Sequence, residues 1–385
     1  MRHLLRRAPS RRRSADPALA KSTGASPSPS DGLGQADAGH SSGRVAVVVA
    51  SRNGASSIGD TIRSARGQAD VYVVSDGSTD TTPEVARAAG AQVLELRQNV
   101  GKPGALYRAI KVFALTQRYG VLAILDDDTV VAPDFVEQAL KALKPGVAIV
   151  VGRTLTRWSS DRRWNVWLGC RAYSYWRYQI TIRRAQSALN VMNCISGSNS
   201  LFRASVLEQV LVETTPYIVD DTYWTLETQR RKLGRIVYAP GAHAYIQDPT
   251  DLRAWYKQNL RWLWGTFQGV KGHRCGRKAS RFDAAYVLLM ADWLLYVLGG
   301  PAMVALMVAG LLWDPRWFLI GVPLGYFAWT IPAAICLRKW RLIPMTPVFI
   351  AIDWIYRVVF IHAFVRTLRQ PLVQDCRWES PTRYC

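Results

Sequence analysis

Residues 284–313, AAYVLLMADWLLYVLGGPAMVALMVAGLLW, form an apolar run long enough to cross a bilayer. A second run, WFLIGVPLGYFAWTIPAAIC at 317–336, has about the 20 residues that a spanning helix needs. A third, PMTPVFIAIDWIYRVVFIHAFV at 344–365, is interrupted by Asp353 and Arg357. Those two lie four residues apart, so on a helix they pair with each other or with a neighbouring helix. Buried core helices are the alternative. Trp and Tyr near the segment ends, and the basic LRKWR at 337–341, favour a membrane. Basic residues crowd the chain before residue 284 and the 337–341 loop, and the positive-inside rule puts both on the cytoplasmic side. Two spans satisfy that rule. A third full crossing sends Arg366, Arg369, Arg377 and Arg383 outward, against it, so a re-entrant or interfacial third segment stays open. The expectation is a multi-pass region of two to three helices over 284–366 in the cell (inner or plasma) membrane, followed by a tail at 367–385.

The chain has 385 residues and a formal charge of +21, room for one large domain with an appendage. Residues 1–43 open with the basic MRHLLRRAPSRRRS and continue Ser/Gly/Ala/Pro-rich, a composition that cannot bury a core and reads as a disordered tail. It has no apolar stretch of signal-peptide length. The six cysteines, Cys170, Cys194, Cys275, Cys336, Cys376 and Cys385, lie far apart without paired spacing, suggesting neither a zinc site nor a disulfide framework. Net charge is the only support for nucleic-acid binding, and no recognition motif accompanies it.

Between tail and membrane region, β-branched runs alternate with helical spacing. RVAVVVASRNG at 44–54 reads as a buried strand, VYVV at 71–74 as a second, AQVLEL as a third and VLAILDDD as a fourth. Amphipathic stretches separate them, among them a helix from Pro83 to the stop at Gly90 and another over GKPGALYRAIKVFALTQRYG (101–120). This α/β order implies a parallel sheet whose ligands gather at the carboxyl ends of the strands. Arg52-Asn53, Asp76-Gly77-Ser78 and Asp126–Asp128 fall there. No dinucleotide fingerprint and no P-loop is present.

The acidic triplet carries a cost. Two carboxylates about 6 Å apart repel by roughly 3 kcal/mol at an effective dielectric near 20. In extended backbone Asp126 and Asp128 face one side and Asp127 the other. A same-face pair of acids is a grip for Mg2+ or Mn2+. The plain alternative is a solvated loop before a helix, with Pro133 at its first position and Asp134 and Glu137 in its first turn.

Seven stretches in order, VVVASRNGASSIGDTI, VVSDGSTD, NVGKPGAL, LDDDT, GSNSLFR, VDDTYWTLETQRRKLG and QNLRW, resemble the family 2 glycosyltransferases over about residues 44–265. The last is a Q-x-x-R-W motif, similar to the membrane synthases of hyaluronan, chitin, cellulose and poly-N-acetylglucosamine; ceramide glucosyltransferases carry a related signature. The resemblance implies a GT-A nucleotide-sugar fold, Rossmann-like, over 44–283 with interfacial helices, and a membrane-bound inverting transferase using a UDP-sugar, such as UDP-N-acetylglucosamine, to extend a β-linked polysaccharide. Transfer of one sugar to a lipid, and a non-enzymatic nucleotide-sugar-binding scaffold, are the alternatives. Asp128 would bind Mg2+ or Mn2+, Asp126 would sit beside it on ribose or a metal-bound water, and Asp127 would be the least sensitive of the three. Asp76 would accept from uracil, Arg52 and Asn53 would line the base pocket, and Lys102 would meet the nucleotide. Asp221 would be the general base, its alternative a helix N-cap. Gln258, Arg261 and Trp262 share one helix face, for diphosphate and acceptor sugar. Gly197 and Ser198 would line the acceptor site. RWNVWLGCRAYSYWRYQITIRR (163–184) would lie at the membrane surface or form part of the acceptor groove, and His243 and His273 would be structural or surface residues.

The chain departs from the pattern in having Ser75 where a second acid often precedes Asp76, and in showing no apolar span ahead of residue 44. So few helices imply a homo-oligomer or an export partner if a polymer is to be exported.

Overall fold

Alternation along the central strands builds two cores at once. In β1 (Val45–Ser51) every residue is buried. Val45, Val47 and Val49 face one apolar cluster, and Ala46, Val48 and Ala50 face the other. A strand buried on both faces must sit inside a sheet covered on both sides. The computed structural model describes residues 44–309 and 316–371. The expected tail at 1–43, the tip 310–313 of the first apolar run, Cys376, Cys385 and the arginines at 377 and 383 lie outside the described residues.

β1 pairs in parallel with β2 (Asp70–Asp76) and β4 (Val121–Asp126), and β2 pairs in parallel with β3 (Gln92–Leu96). The other strands are β5 (Val130–Val131), β6 (Val147–Thr156), β7 (Asn199–Arg203) and β8 (Arg235–Ile246). Among the described residues the order is β3-β2-β1-β4-β7-β6-β8-β5. The first half is the expected parallel sheet. The second is mixed, because β7 runs antiparallel to both β4 and β6. That reversal has a consequence for the site: the start of β7 meets the end of β4, with Asn199 opposite Leu125.

Helices α1 (Ile58–Arg66), α2 (Thr82–Ala88), α3 (Gly101–Val112), α4 (Leu115–Arg118) and α5 (Phe135–Ala142) connect the first six strands. Two expectations shift here. The helix read over 101–120 is broken into α3 and α4 at Ala114, whose φ is +51°. Pro133 is not the first helical residue: Val130–Val131 pair with β8, and α5 starts only at Phe135 behind Asp134.

After β6 come α6 (Val166–Tyr178), a π-helical segment (Gln179–Arg183) and α7 (Arg184–Leu189). α8 (Ala204–Val210), α9 (Asp220–Arg230) and α10 (Leu252–Gly272) follow β7 and flank β8. The apolar C-terminal runs form α11 (Arg281–Val308), α12 (Arg316–Leu337) and α13 (Leu342–Arg369). All three candidate spans have the length and composition to cross a membrane.

α13 is apolar on two sides. One stripe, Met345, Phe349, Ile352, Val359 and Ala363, is buried with Tyr173 and Trp176 of α6 and Trp255, Leu263 and Phe267 of α10. Tyr173 stacks on Phe349 with centroids 5.5 Å apart. The opposite stripe, including Val358, Ile361 and Leu368, is exposed. Both ends of α13 touch the α/β unit. Beside its start, Arg341 lies over Trp164. At its end the Gln370 carbonyl accepts from Trp264 Nε1 at 3.2 Å and Gln268 Nε2 at 3.4 Å, while Gln268 Oε1 accepts from the Ile218 backbone at 3.0 Å. The expected Asp353–Arg357 pair forms, and Tyr296 of α11 donates to Asp353 at 2.9 Å.

α11 is tied to the sheet unit through α9. Arg230 forks onto Asp283, with Nη1–Oδ2 at 2.6 Å and Nη2–Oδ1 at 2.8 Å, and both side chains are largely buried. Breaking such a pair from one side leaves an uncompensated buried charge, which costs about 3–5 kcal/mol. Asp283→Ala is therefore expected to lower the unfolding temperature in detergent by several degrees, and the paired change Arg230→Met with Asp283→Leu to recover most of it.

Candidate active site

The carboxyl ends of β1, β2, β4, β6 and β8 and the amino end of β7 share one edge. Ser51, Asp76, Asp126 and the segment Gly197–Ser198 therefore meet there. Asp127 turns to the opposite side from Asp126, as strand alternation requires. It is fully buried and accepts from Ser51 Oγ at 2.7 Å. A side chain so placed is needed for packing, whatever it contributes to chemistry. Asp128 is also buried, whereas Asp126 is about one-third exposed.

Lys102, in the first turn of α3, reaches across this edge. Its Nζ lies 2.5 Å from Asp126 Oδ1 and donates to the Gly197 carbonyl at 3.1 Å. Burial works to lower the ammonium's pKa, but the charges of Asp126, Asp220 and Asp221 outweigh it and hold Lys102 protonated above the ordinary lysine range. Asp221 faces the same point. Its Oδ2 accepts from Gly197 N at 3.2 Å. A Cβ at residue 197 would come within 3.2 Å of both Asp221 Oδ2 and Lys102 Nζ, so glycine lets the two approach. Ser198 is buried, with its hydroxyl 3.0 Å from Ser196 Oγ.

Helix α9 begins at Asp220 with Val219 at its N-cap, so Asp221 is a first-turn acid and not the cap. Burial pushes Asp221 up to about 6, the charge of Asp220 adds to this, and Lys102 opposes it. A carboxylate with that pKa takes up and releases a proton near neutrality.

Asp76 is fully buried, and its two oxygens accept from Val100 N at 2.8 Å and Gly101 N at 2.9 Å. It thereby holds the start of α3, and so Lys102, against β2. Burial raises its pKa, while the two backbone donors and the nearby Arg52 oppose the rise. Gly77 has φ +64°, and a Cβ there would meet Asn99 N at 2.7 Å, which leaves room for glycine alone. Asn53, exposed with φ +53°, accepts from Thr79 N at 2.8 Å and so joins the ends of β1 and β2. Arg52 lies beside them, half-buried.

The Gln258–Trp262 face of α10 is set from α6. Arg171, which is 6% exposed, donates through Nη2 to Gln258 Oε1 at 2.6 Å, and its guanidinium lies 4.8 Å from the centre of the Trp262 ring. Its Nε is 3.4 Å from Asp248 Oδ1, just beyond β8. Tyr175 also donates to Asp248 Oδ1, at 3.0 Å, and lies within electrostatic reach of Asp128. Burial pushes Asp248 up to about 6, with Arg171 opposing. Arg261 is exposed and has no ion-pair partner among the described residues. Segment 163–184 thus lies between α10, α13 and the sheet edge. His273 is structural: it bonds Tyr217 at 2.8 Å and Glu227 at 3.0 Å.

Sequence reading missed Arg171, Tyr175 and Asp248. Asp248 carried one available signal, an acid at a strand exit like Asp126. Arg171 carried none, because its partners lie about 80 residues away.

Among the described residues, no three His, Cys, Asp or Glu side chains gather as a ready metal site. Asp126, about one-third exposed and paired with Lys102 through one oxygen, and the buried Asp128 carry hard oxygen donors at this edge. That suits a cation whose remaining ligands are water and ligand oxygens, the habit of Mg2+ and Mn2+.

Residues 42–265 match the family described as "Glycosyltransferase like family 2". The chain is 27% identical over 202 residues to a poly-beta-1,6-N-acetyl-D-glucosamine synthase of Staphylococcus aureus, covering 51% of this chain and 47% of that protein. The Staphylococcus epidermidis protein of the same name is 26% identical over 233 residues, covering 57% of this chain and 54% of its own length. The chain therefore spans about half the length of these curated relatives. Among solved structures, a mannosyltransferase from Pyrobaculum calidifontis in complex with GDP-Man and Mn2+ superposes with a TM-score of 0.59 at 20% identity, over 84% of this chain and 87% of that one. The likeness establishes a GT-A-like fold.

Removing the Lys102 charge should expose its effect on its neighbour. In Lys102→Gln the Asp221 carboxyl, observed by infrared difference or 13C-aspartate NMR, is expected to titrate above its wild-type midpoint of about 6.

Proposed function

The chain belongs to glycosyltransferase family 2, and on that premise we propose that it is a membrane-bound inverting glycosyltransferase. Its donor would be a UDP-sugar, UDP-N-acetylglucosamine first among those to test, and its product a growing β-linked polysaccharide. The single observation that carries this reading is the contact set Asp126–Lys102–Gly197–Asp221, which joins a donor-side acid to a base-like acid at one open edge.

Asp221 accepts the proton of the attacking acceptor hydroxyl; held near neutrality by burial and by Asp220, it is both ionised at physiological pH and basic enough to take that proton. Lys102 and the exposed Arg261 supply positive charge for the departing diphosphate, Arg261 through a forked hydrogen bond. Asp76 fixes the start of α3 and so the position of Lys102; Arg52 and Asn53 border the same edge for the base. Gly197 and Ser198 admit the acceptor between Asp221 and the Gln258–Trp262 face. Asp126 and Asp128 are the residues that would hold Mg2+ or Mn2+, and such an ion, when bound, offsets diphosphate charge as a Lewis acid.

Transfer of a single sugar to a lipid is the second reading. One observation favours it: the Q-x-x-R-W helix α10 shares an apolar cluster with α13, so an acceptor bound on that helix would lie next to the candidate membrane helices. Product length separates the two: a ladder of long chains supports polymerisation, and one glycolipid species supports single transfer.

For membrane topology we favour α11 and α12 as the two crossings, with α13 lying in the interface. Contacts of both α13 ends with the α/β unit support this, as do the cations at each end, Arg338, Lys339 and Arg341 at one and Arg366 and Arg369 at the other. The catalytic unit is then cytoplasmic. A cysteine placed at Arg369, in a background lacking native cysteines, should be labelled by an impermeant maleimide from the same side as one at Lys257. Labelling from opposite sides would make α13 a third span.

Turnover is tested by supplying the full chain in detergent or nanodiscs with UDP-sugars and Mn2+ or Mg2+ and measuring UDP release. Asp221→Asn is expected to lower kcat by about 10²- to 10⁴-fold. In the wild type, log(kcat/KM) is expected to fall with unit slope as pH drops below about 6, because protonated Asp221 cannot accept a proton. Full activity in Asp221→Asn would remove it as the base, and no turnover with any donor would overturn the function.

A further inference from the structure

Three side chains on one face of α6 and the π-helical turn that continues it reach the carboxyl edge of the sheet. Arg171, Tyr175 and Gln179 lie at i, i+4 and i+8. Gln179 imitates a neighbouring strand: its Oε1 accepts from Thr154 N at 2.8 Å and its Nε2 donates to the Thr154 carbonyl at 2.9 Å, so the C-terminal end of α6 is pinned to the end of β6. Tyr175 is pinned to Asp248, at the exit of β8. Arg171 then extends from the same face to α10.

We propose that Arg171 is a positioning residue that fixes the Gln258–Trp262 helix to the sheet edge through Asp248, and so governs transfer to the acceptor more than cleavage of the donor bond. One guanidinium meets four groups of two elements: Asp248 Oδ1 at 3.4 Å, Gln258 Oε1 at 2.6 Å, Asn259 Oδ1 at 3.3 Å, and the Trp262 face. Only a planar fork can do this; lysine offers a single point of charge. The arrangement also has a cost. Arg171 and Asp248 are both removed from water, and the desolvation of each ion opposes the arrangement. Apolar residues would hold two helices together without that cost, but they would not set the rotation of α10. A guanidinium bound to Gln258 and lying against Trp262 fixes which face of α10 looks toward the acids. With Gln258 and one face of Trp262 already engaged, Arg261 is the member of the motif left with its charge exposed.

This proposal rests on the glycosyltransferase reading for its catalytic consequence, and its test separates the two. Spin labels are attached at Lys257 on α10 and Glu137 on α5, both exposed, in a full chain whose other accessible cysteines are replaced. Arg171→Gln and Arg171→Lys are each expected to broaden the distance distribution measured by pulsed electron resonance. Donor hydrolysis without acceptor and transfer with acceptor are then measured side by side. The expected result is transfer reduced by about 10- to 100-fold with a raised acceptor KM, and hydrolysis near wild type. Equal losses in hydrolysis and transfer would mark Arg171 as merely structural, and an unchanged distance distribution in Arg171→Lys would overturn the proposal. Absence of donor turnover in the wild type would instead overturn the enzyme reading, while the distance measurement would still decide whether Arg171 holds α10.

Discussion

One ammonium stands among three of the acids that crowd one end of the sheet. Asp126, Asp127, Asp128, Asp220 and Asp221 come from two distant segments, and the topology leaves them at the same end of the sheet. Lys102 stands between Asp126 and the Asp220–Asp221 pair, bonded to Asp126 and to the Gly197 carbonyl, with its proton held by the field of those three acids. Asp76 anchors that lysine by capping the chain just ahead of it. Without a fixed cation the cheapest response of this edge would be to protonate or to open. With one, the acids stay close, while burial and the charge of Asp220 push Asp221 toward neutrality.

The same edge is joined to the apolar C-terminal region by side chains of α6 and α10. Aromatic rings from α6, α10, α11, α12 and α13 pack in one cluster, so the candidate site edge and the candidate membrane helices form a continuous body. Arg230–Asp283 makes a second tie, between the helix that carries Asp221 and the start of α11. The site is thus supported from the side on which a lipid surface would lie.

Much of the site was legible because strand ends announce themselves. An apolar run that stops at Arg52-Asn53, at Asp76 or at Asp126 marks the carboxyl end of a parallel strand, and ligands gather there. The grouping of Gln258, Arg261 and Trp262 followed from helical spacing alone. What did not follow was the partner of each group. Lys102 read as a nucleotide contact; only the antiparallel entry of β7 brings the Gly197 carbonyl beneath it. Asp76 read as a uracil contact, and its carboxylate also spans 24 residues to cap the start of α3. Arg171 looked like one cation among many in a basic, aromatic stretch.

By itself, then, the chain specified its first four strands, their burial, the acids at the ends of the second and fourth, and three helices apolar enough for a bilayer, since these depend on spacing and composition within a few residues. Only the tertiary structure decided that β7 runs against its neighbours, that Lys102 meets Asp126, that Arg171 ties α10 to Asp248, and that α13 packs against the α/β unit at both its ends. Each of these joins residues far apart in the chain. A helix with apolar residues on both sides carries no periodic signal to tell a protein-facing stripe from a lipid-facing one, so only its packing partners separate the two.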